Sequence, residues 1–174
     1  MSTAHERRLS TPPTAHSLRE IGLFGALSDD VLDYLVETLP VRPIGAGQHV
    51  FREGEPAREM FVVLGGEAEV LKRGKRGLET RVAVLGPGDW FGEMSILDIQ
   101  PRSATVTALA PTSLLVITGE ALDQLYRRDL KAYSLIVLNV ARELSRRLRV
   151  ADGIIADFMA NVLEDYVTSS SRRR

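Results

Sequence analysis

From Val41 to Thr118 the chain is a series of short β-rich runs separated by glycine and proline. This texture limits the fold more than any other feature. The runs are His49 to Phe51, Met60 to Leu64, Ala68 to Leu71, Thr80 to Leu85, Ala104 to Ala108 and Ser113 to Ile117. Between them lie Gly45-Ala46-Gly47, Gly54-Glu55-Pro56, Gly65-Gly66, the basic tip Arg73 to Gly77, and Gly86-Pro87-Gly88-Asp89. Glycine and proline stop regular structure and supply turn geometry, so short strands at this spacing predict an antiparallel barrel or sandwich.

Helices flank the β-rich part. Ser28-Asp29-Asp30 is a helix start, Val31, Leu32, Leu35, Val36 and Leu39 form its apolar face, and Pro40 ends it. Helical texture returns at Gly119 and persists almost to the end. Residues 1–20, with Pro12-Pro13 among Ser, Thr and Arg, read as a flexible leader without the apolar core of a signal peptide. Residues 168–174 read as a disordered tail. At 174 residues the chain can hold one domain plus an extra element. Its net charge of −1 offers nothing global to attract nucleic acid or an acidic membrane. No apolar run would span a bilayer, and the absence of cysteine excludes disulfides and thiolate metal sites, so the expected location is the cytoplasm. His5, His16 and His49 are far apart and lack metal-ligand spacing, so no metal or cofactor is expected.

One stretch carries chemistry. Phe91-Gly92-Glu93-Met94-Ser95-Ile96-Leu97 is followed by Pro101-Arg102-Ser103-Ala104-Thr105-Val106. Glycine at a turn allows close backbone approach to a ligand. Arg102 offers a planar fork of donors that stays ionised, Pro101 stiffens the chain before it, and Ser103 adds a hydroxyl. The Met94 and Ser95 N–H groups open a short helical turn. Together these groups would face a phosphate, and the Glu93 carboxylate would face sugar hydroxyls. Ile96 and Leu97 are expected in the core.

This stretch resembles the phosphate-binding cassette of cyclic-nucleotide-binding domains, found in catabolite-activator-type regulators, kinase regulatory subunits and cyclic-nucleotide-gated channels. The resemblance covers roughly Leu23 to Asp165. Leu23 to Ser28 is similar to the family's opening helix, and Gly45, Gly54, Gly66 and Gly88 fall where the family turns its corners. It implies a mainly β fold: an antiparallel β-roll or jelly roll (double-stranded β-helix) with flanking helices over residues 21–128. A long C-terminal dimerisation helix over 129–167 would follow. It also implies phosphate binding by Arg102, Ser103, Met94 and Ser95, and ribose binding by Gly92 and Glu93, with the glutamate on the 2′-hydroxyl. Arg146 to Val150 resembles the family segment that precedes the base-capping positions, which here are Ala151 and Asp152, with Ile155 nearby. Activator-type relatives place hydroxyl residues at the first two positions. The implied ligand is cAMP, with cGMP possible.

Val137, Ala141, Leu144, Leu148, Ala151, Ile155, Phe158 and Val162 step by fours and threes, the a/d pattern of a coiled coil. A two-fold related copy can bury such a stripe, so Leu144, Leu148, Ile155, Phe158 and Val162 are expected to form a homodimer seam. Gly153 lies inside the pattern, where glycine costs a helix about 1 kcal/mol relative to alanine. No winged helix-turn-helix, kinase-length extension or channel segment follows the helix. The implied function is a stand-alone regulator that couples cyclic-nucleotide binding to movement of its C-terminal helix and to an unidentified protein effector. The alternatives are a dimeric interaction module with a degenerate nucleotide site, or a fragment of a larger transcription factor or kinase regulatory subunit. An enzyme would need metal ligands or an activated nucleophile, and the sequence offers neither.

Overall fold

A computed structural model describes residues 12–75 and 77–171, with side chains through residue 162. Within these residues the β-rich runs become strands β1 Val41–Ile44, β2 His49–Phe51, β3 Glu59–Gly65, β4 Ala68–Arg73, β5 Glu79–Leu85, β6 Trp90–Phe91, β7 Thr105–Ala108 and β8 Thr112–Thr118. They form two antiparallel four-stranded sheets, ordered β1-β8-β3-β6 and β2-β7-β4-β5. Phe51, Phe61, Val63, Phe91, Val106, Leu114 and Val116, drawn from both sheets, form one buried cluster. This is the expected β-roll. Two strands lacked a readable pattern. β1 contains Pro43, which cannot donate to a ladder and is tolerated because β1 is an edge strand. β6 has only two residues.

Strands β3 and β8 read as apolar runs instead of alternating patterns because both of their faces are covered. Met60, Val62, Leu115 and Ile117 are as buried as the inward-facing Phe61 and Val116. The helical elements contribute to the buried set as well. These are α1 Ala15–Arg19, a 3-10 turn Gly22–Phe24, α2 Asp29–Thr38 and α4 Gly119–Arg128, which bury Leu18, Leu23, Phe24, Leu32 and Leu125. Gly66 makes the β3–β4 corner with φ +85°, and a Cβ there would lie 2.4 Å from Pro111 O. Only glycine fits.

The expected leader is shorter than 20 residues. Thr14 and Ser17 close a reciprocal capping box on α1, and Leu18 is fully buried, so residues 15–19 belong to the folded part. Residues 1–11 lie outside the described residues. At the other end, α5 Leu130–Ser171 passes Thr168, where the tail was expected to begin. Residues 168–171 contain no glycine or proline to stop the helix, and residues 172–174 lie outside the described residues. Asp129 ends α4 and starts α5, its carboxylate accepting the Ala132 N–H at 2.9 Å. The chain divides into two compact units at Ile136/Val137, inside α5. No helix among the described residues is long and apolar enough to cross a membrane.

Candidate functional site

The cassette folds as a turn, a single helical turn and a return strand. Gly92 leaves β6 with φ +82°, and a Cβ there would stand 2.7 Å from Arg102 Nη1. Glycine therefore allows the backbone to approach the arginine. Glu93 follows and is buried, with 4% of its surface exposed. Its carbonyl accepts the N–H groups of Ile96 and Leu97, closing α3 Met94–Leu97. Ile99 then takes φ +57°, an uncommon conformation for a β-branched residue, and Pro101 delivers the chain to Arg102. Two backbone bonds fix the arginine's main chain against the β2–β3 turn: Gly54 N–H to Arg102 O and Arg102 N–H to Glu55 O, each 2.9 Å.

The Arg102 side chain turns into the roll and is 5% exposed. Its Cζ lies 4.0 Å from the Phe51 ring centroid and 5.6 Å from that of Phe61. Nη1 donates to Gly92 O at 3.3 Å, and the buried Nε has no hydrogen-bond partner among the described residues. A second guanidinium, Arg42, lies 5.3 Å from the Phe61 centroid and is held in a two-pronged pair by Glu59 at 2.9 and 3.0 Å. Burial pushes the Arg102 pKa down, while the carboxylates of Glu59, Glu55 and Glu93 oppose that shift. An arginine still carries its charge at neutral pH. The site therefore holds a buried cation on aromatic faces with unused donor capacity, surrounded by carboxylates.

A cavity of about 780 Å³ opens beside the cassette. It is lined by Arg102, Ser95 and Ile96 together with Pro56 to Glu59, Ile99 and Thr118 to Glu120. Its size is that of a small-ligand pocket. Of the residues expected at the site, Gly92, Glu93, Met94, Ser95, Arg102 and Ser103 are brought together in the first unit. Only Ser95 and Arg102 of these line the cavity. Met94 and Ser103 are exposed, with Ser103 Oγ 3.8 Å from Met94 Sδ. Leu97 departs from expectation: it is 49% exposed, because a helix of one turn has no second apolar row to bury it. Ile96 is half-buried. Ala151, Asp152 and Ile155 belong to the second unit and are exposed there.

Sequence reasoning missed Phe51 and Phe61, which carry the arginine, and Arg42 and Glu59, which flank it. No local pattern marks a phenylalanine as a cation platform; that role exists only once β2, β3 and the cassette meet. Among the described residues, no group of three or more His, Cys, Asp or Glu side chains could hold a metal ion.

The cyclic nucleotide-binding domain model matches residues 41–129, from β1 to the end of α4. The "Cyclic AMP receptor protein" of Thermus thermophilus is 35% identical over 130 residues, covering 75% of this chain and 58% of that protein. The "CRP-like cAMP-activated global transcriptional regulator" of Mycobacterium tuberculosis is 28% identical over 142 residues, covering 82% of this chain and 62% of that one. The chain thus spans about three-fifths of the length of these curated relatives. A crystal structure of a cyclic nucleotide-binding domain from Methylobacillus flagellatus superposes with a TM-score of 0.73 at 28% identity, over 78% of each chain. The matched stretch takes in both sheets, the glycine–glutamate turn and Arg102, and the chain belongs to the cyclic nucleotide-binding domain family.

Proposed function

We propose that this chain is the sensing part of a cAMP-responsive regulator. In this reading Arg102 pairs with the cyclic phosphate, helped by the Ser103 hydroxyl and the N–H groups of Met94 and Ser95. Glu93 accepts from the ribose, with Gly92 giving the backbone room. Ala151, Asp152 and Ile155 approach the base. Binding shifts the C-terminal helix and alters a surface read by a protein effector in the cytoplasm. Two copies associate along Leu144, Leu148, Ile155, Phe158 and Val162.

One observation carries the reading: a 5%-exposed arginine in the cassette has a buried Nε without a partner among the described residues. A buried charge with spare donors is costly, and an anion relieves that cost. The preference for cAMP is supported by the names of the two regulators above. The second helix unit supports the dimer, because Leu148, Ile155 and Phe158 are each at least 60% exposed along one stripe. A differential affinity for two arrangements is required for any helix shift.

Isothermal calorimetry with cAMP, cGMP and a cyclic dinucleotide tests the reading. Saturable heat, strongest for cAMP, is expected. No heat from any of the three would favour the interaction module with a degenerate site.

A further inference from the structure

The end of the cassette, where the chain enters β7, is braced from β4, its neighbour in the same sheet. Lys72, on β4, donates through Nζ to Glu53 Oε1 at 2.8 Å and also to the carbonyl oxygen of Ser103. Glu53 Oε2 accepts the Arg73 N–H at 3.1 Å, and the Glu53 N–H donates to the buried Thr105 Oγ1 at 3.0 Å. One ammonium–carboxylate pair thus ties the β2–β3 turn, the end of β4 and residues 103–105 together. These contacts hold the Glu53 carboxyl below its usual pKa, chiefly through the Lys72 hydrogen bond.

A surface ion pair by itself contributes little, and Lys72 is half exposed. The carbonyl contact has a different consequence. A peptide unit is planar and trans, so pinning Ser103 O also sets the direction of the Ala104 N–H and restricts rotation at the Ser103 Cα. The segment from Asp98 to Ala104 has no regular structure and contains the left-handed Ile99, and the two backbone bonds at Arg102 tie it to the β2–β3 turn. The Lys72 Nζ is its tie to β4.

We propose that Lys72, braced by Glu53, is a positioning residue that sets the Ser103–Ala104 peptide for the anion held at Arg102, a role that rests on the nucleotide reading above. Lys72 needs no contact with the ligand. Its neighbour Glu53 makes the role testable, because position and charge predict opposite outcomes. If Lys72 acted only as a positive charge near the site, neutralising Glu53 would tighten anion binding. If the pair acts by position, neutralising Glu53 loosens Lys72 and weakens binding.

The full chain and its Lys72→Met, Lys72→Arg and Glu53→Gln variants are compared by amide hydrogen exchange without ligand and by calorimetry with cAMP. Lys72→Met should speed exchange at Ser103 and Ala104 and weaken cAMP binding about 10- to 150-fold, the scale of one lost hydrogen bond to a charged group. Lys72→Arg should restore most of that loss, and Glu53→Gln should weaken binding. Tighter binding in Glu53→Gln, or wild-type exchange and affinity in Lys72→Met, overturns the brace. No saturable heat from the wild type overturns the nucleotide reading and, with it, the ligand role of Lys72. The two failures are therefore distinguishable.

Discussion

The Arg102 guanidinium lies 4.0 Å from the centre of the Phe51 ring, so the cassette's cation rests on the aromatic core of the roll. Stacking on an aromatic face offsets part of the cost of burying the charge. It does not satisfy Nε, which keeps a donor without a partner among the described residues.

The opposing turn is equally constrained. Gly92→Ala forces a side chain into φ +82° and places a Cβ 2.7 Å from Arg102 Nη1. We expect a loss of about 1–2 kcal/mol, with the guanidinium displaced from Gly92 O. Thermal denaturation checks this; an unchanged melting temperature would speak against the strained turn.

Ile99 runs the other way. It is 86% exposed at φ +57°, so removing its side chain sacrifices little burial. Ile99→Gly should stabilise the ligand-free protein by about 0.5–1 kcal/mol, the left-handed penalty less the added entropy of glycine. Denaturant unfolding that shows a loss of stability would contradict the geometry.

The cassette was legible because its signals are local. Gly92-Glu93 and Pro101-Arg102-Ser103 each combine a backbone requirement with a charged group at short range. The corner at Gly66 was legible for the same reason. What stayed hidden depends on contacts between distant segments. The Phe51–Arg102 stack joins β2 to the cassette, and the bridge from Lys72 to Glu53 and Ser103 joins three elements. β1 was masked by Pro43, and the start of the folded part was misplaced because the Thr14–Ser17 cap lies among residues of loop-like composition. Leu97 was misjudged because apolar character alone does not reveal how short α3 is.

The helix unit gives a separate prediction. Phe158 is 64% exposed in line with Leu148 and Ile155. Phe158→Asp would place charges face to face across a two-fold seam, so light scattering should show a shift from dimer to monomer. An unchanged dimer would remove this stripe from the interface.

Glu143 gives the same helix a pH dependence. Arg146 and Arg147 both bond its carboxylate, lowering its pKa from 4.5 to about 2. A depressed acid stabilises the fold fully above its unfolded pKa and loses that contribution as pH falls through the folded one. Glu143→Gln should therefore destabilise the protein at neutral pH by about 0.5 kcal/mol, a small effect because both arginines are partly solvated. The difference from wild type should close as the pH falls from 4.5 towards 2. Thermal unfolding of both proteins across that range checks it; a gap that persists near pH 2 would contradict the pairing.

The most direct test is the cAMP dissociation constant of Arg102→Leu beside that of the wild type. The account predicts binding weakened by about 2–5 kcal/mol, or roughly 30- to 5,000-fold. It also predicts a ligand-free stability within about 1 kcal/mol of wild type, because the buried charge leaves with its desolvation cost. Equal affinity in the two proteins would contradict it.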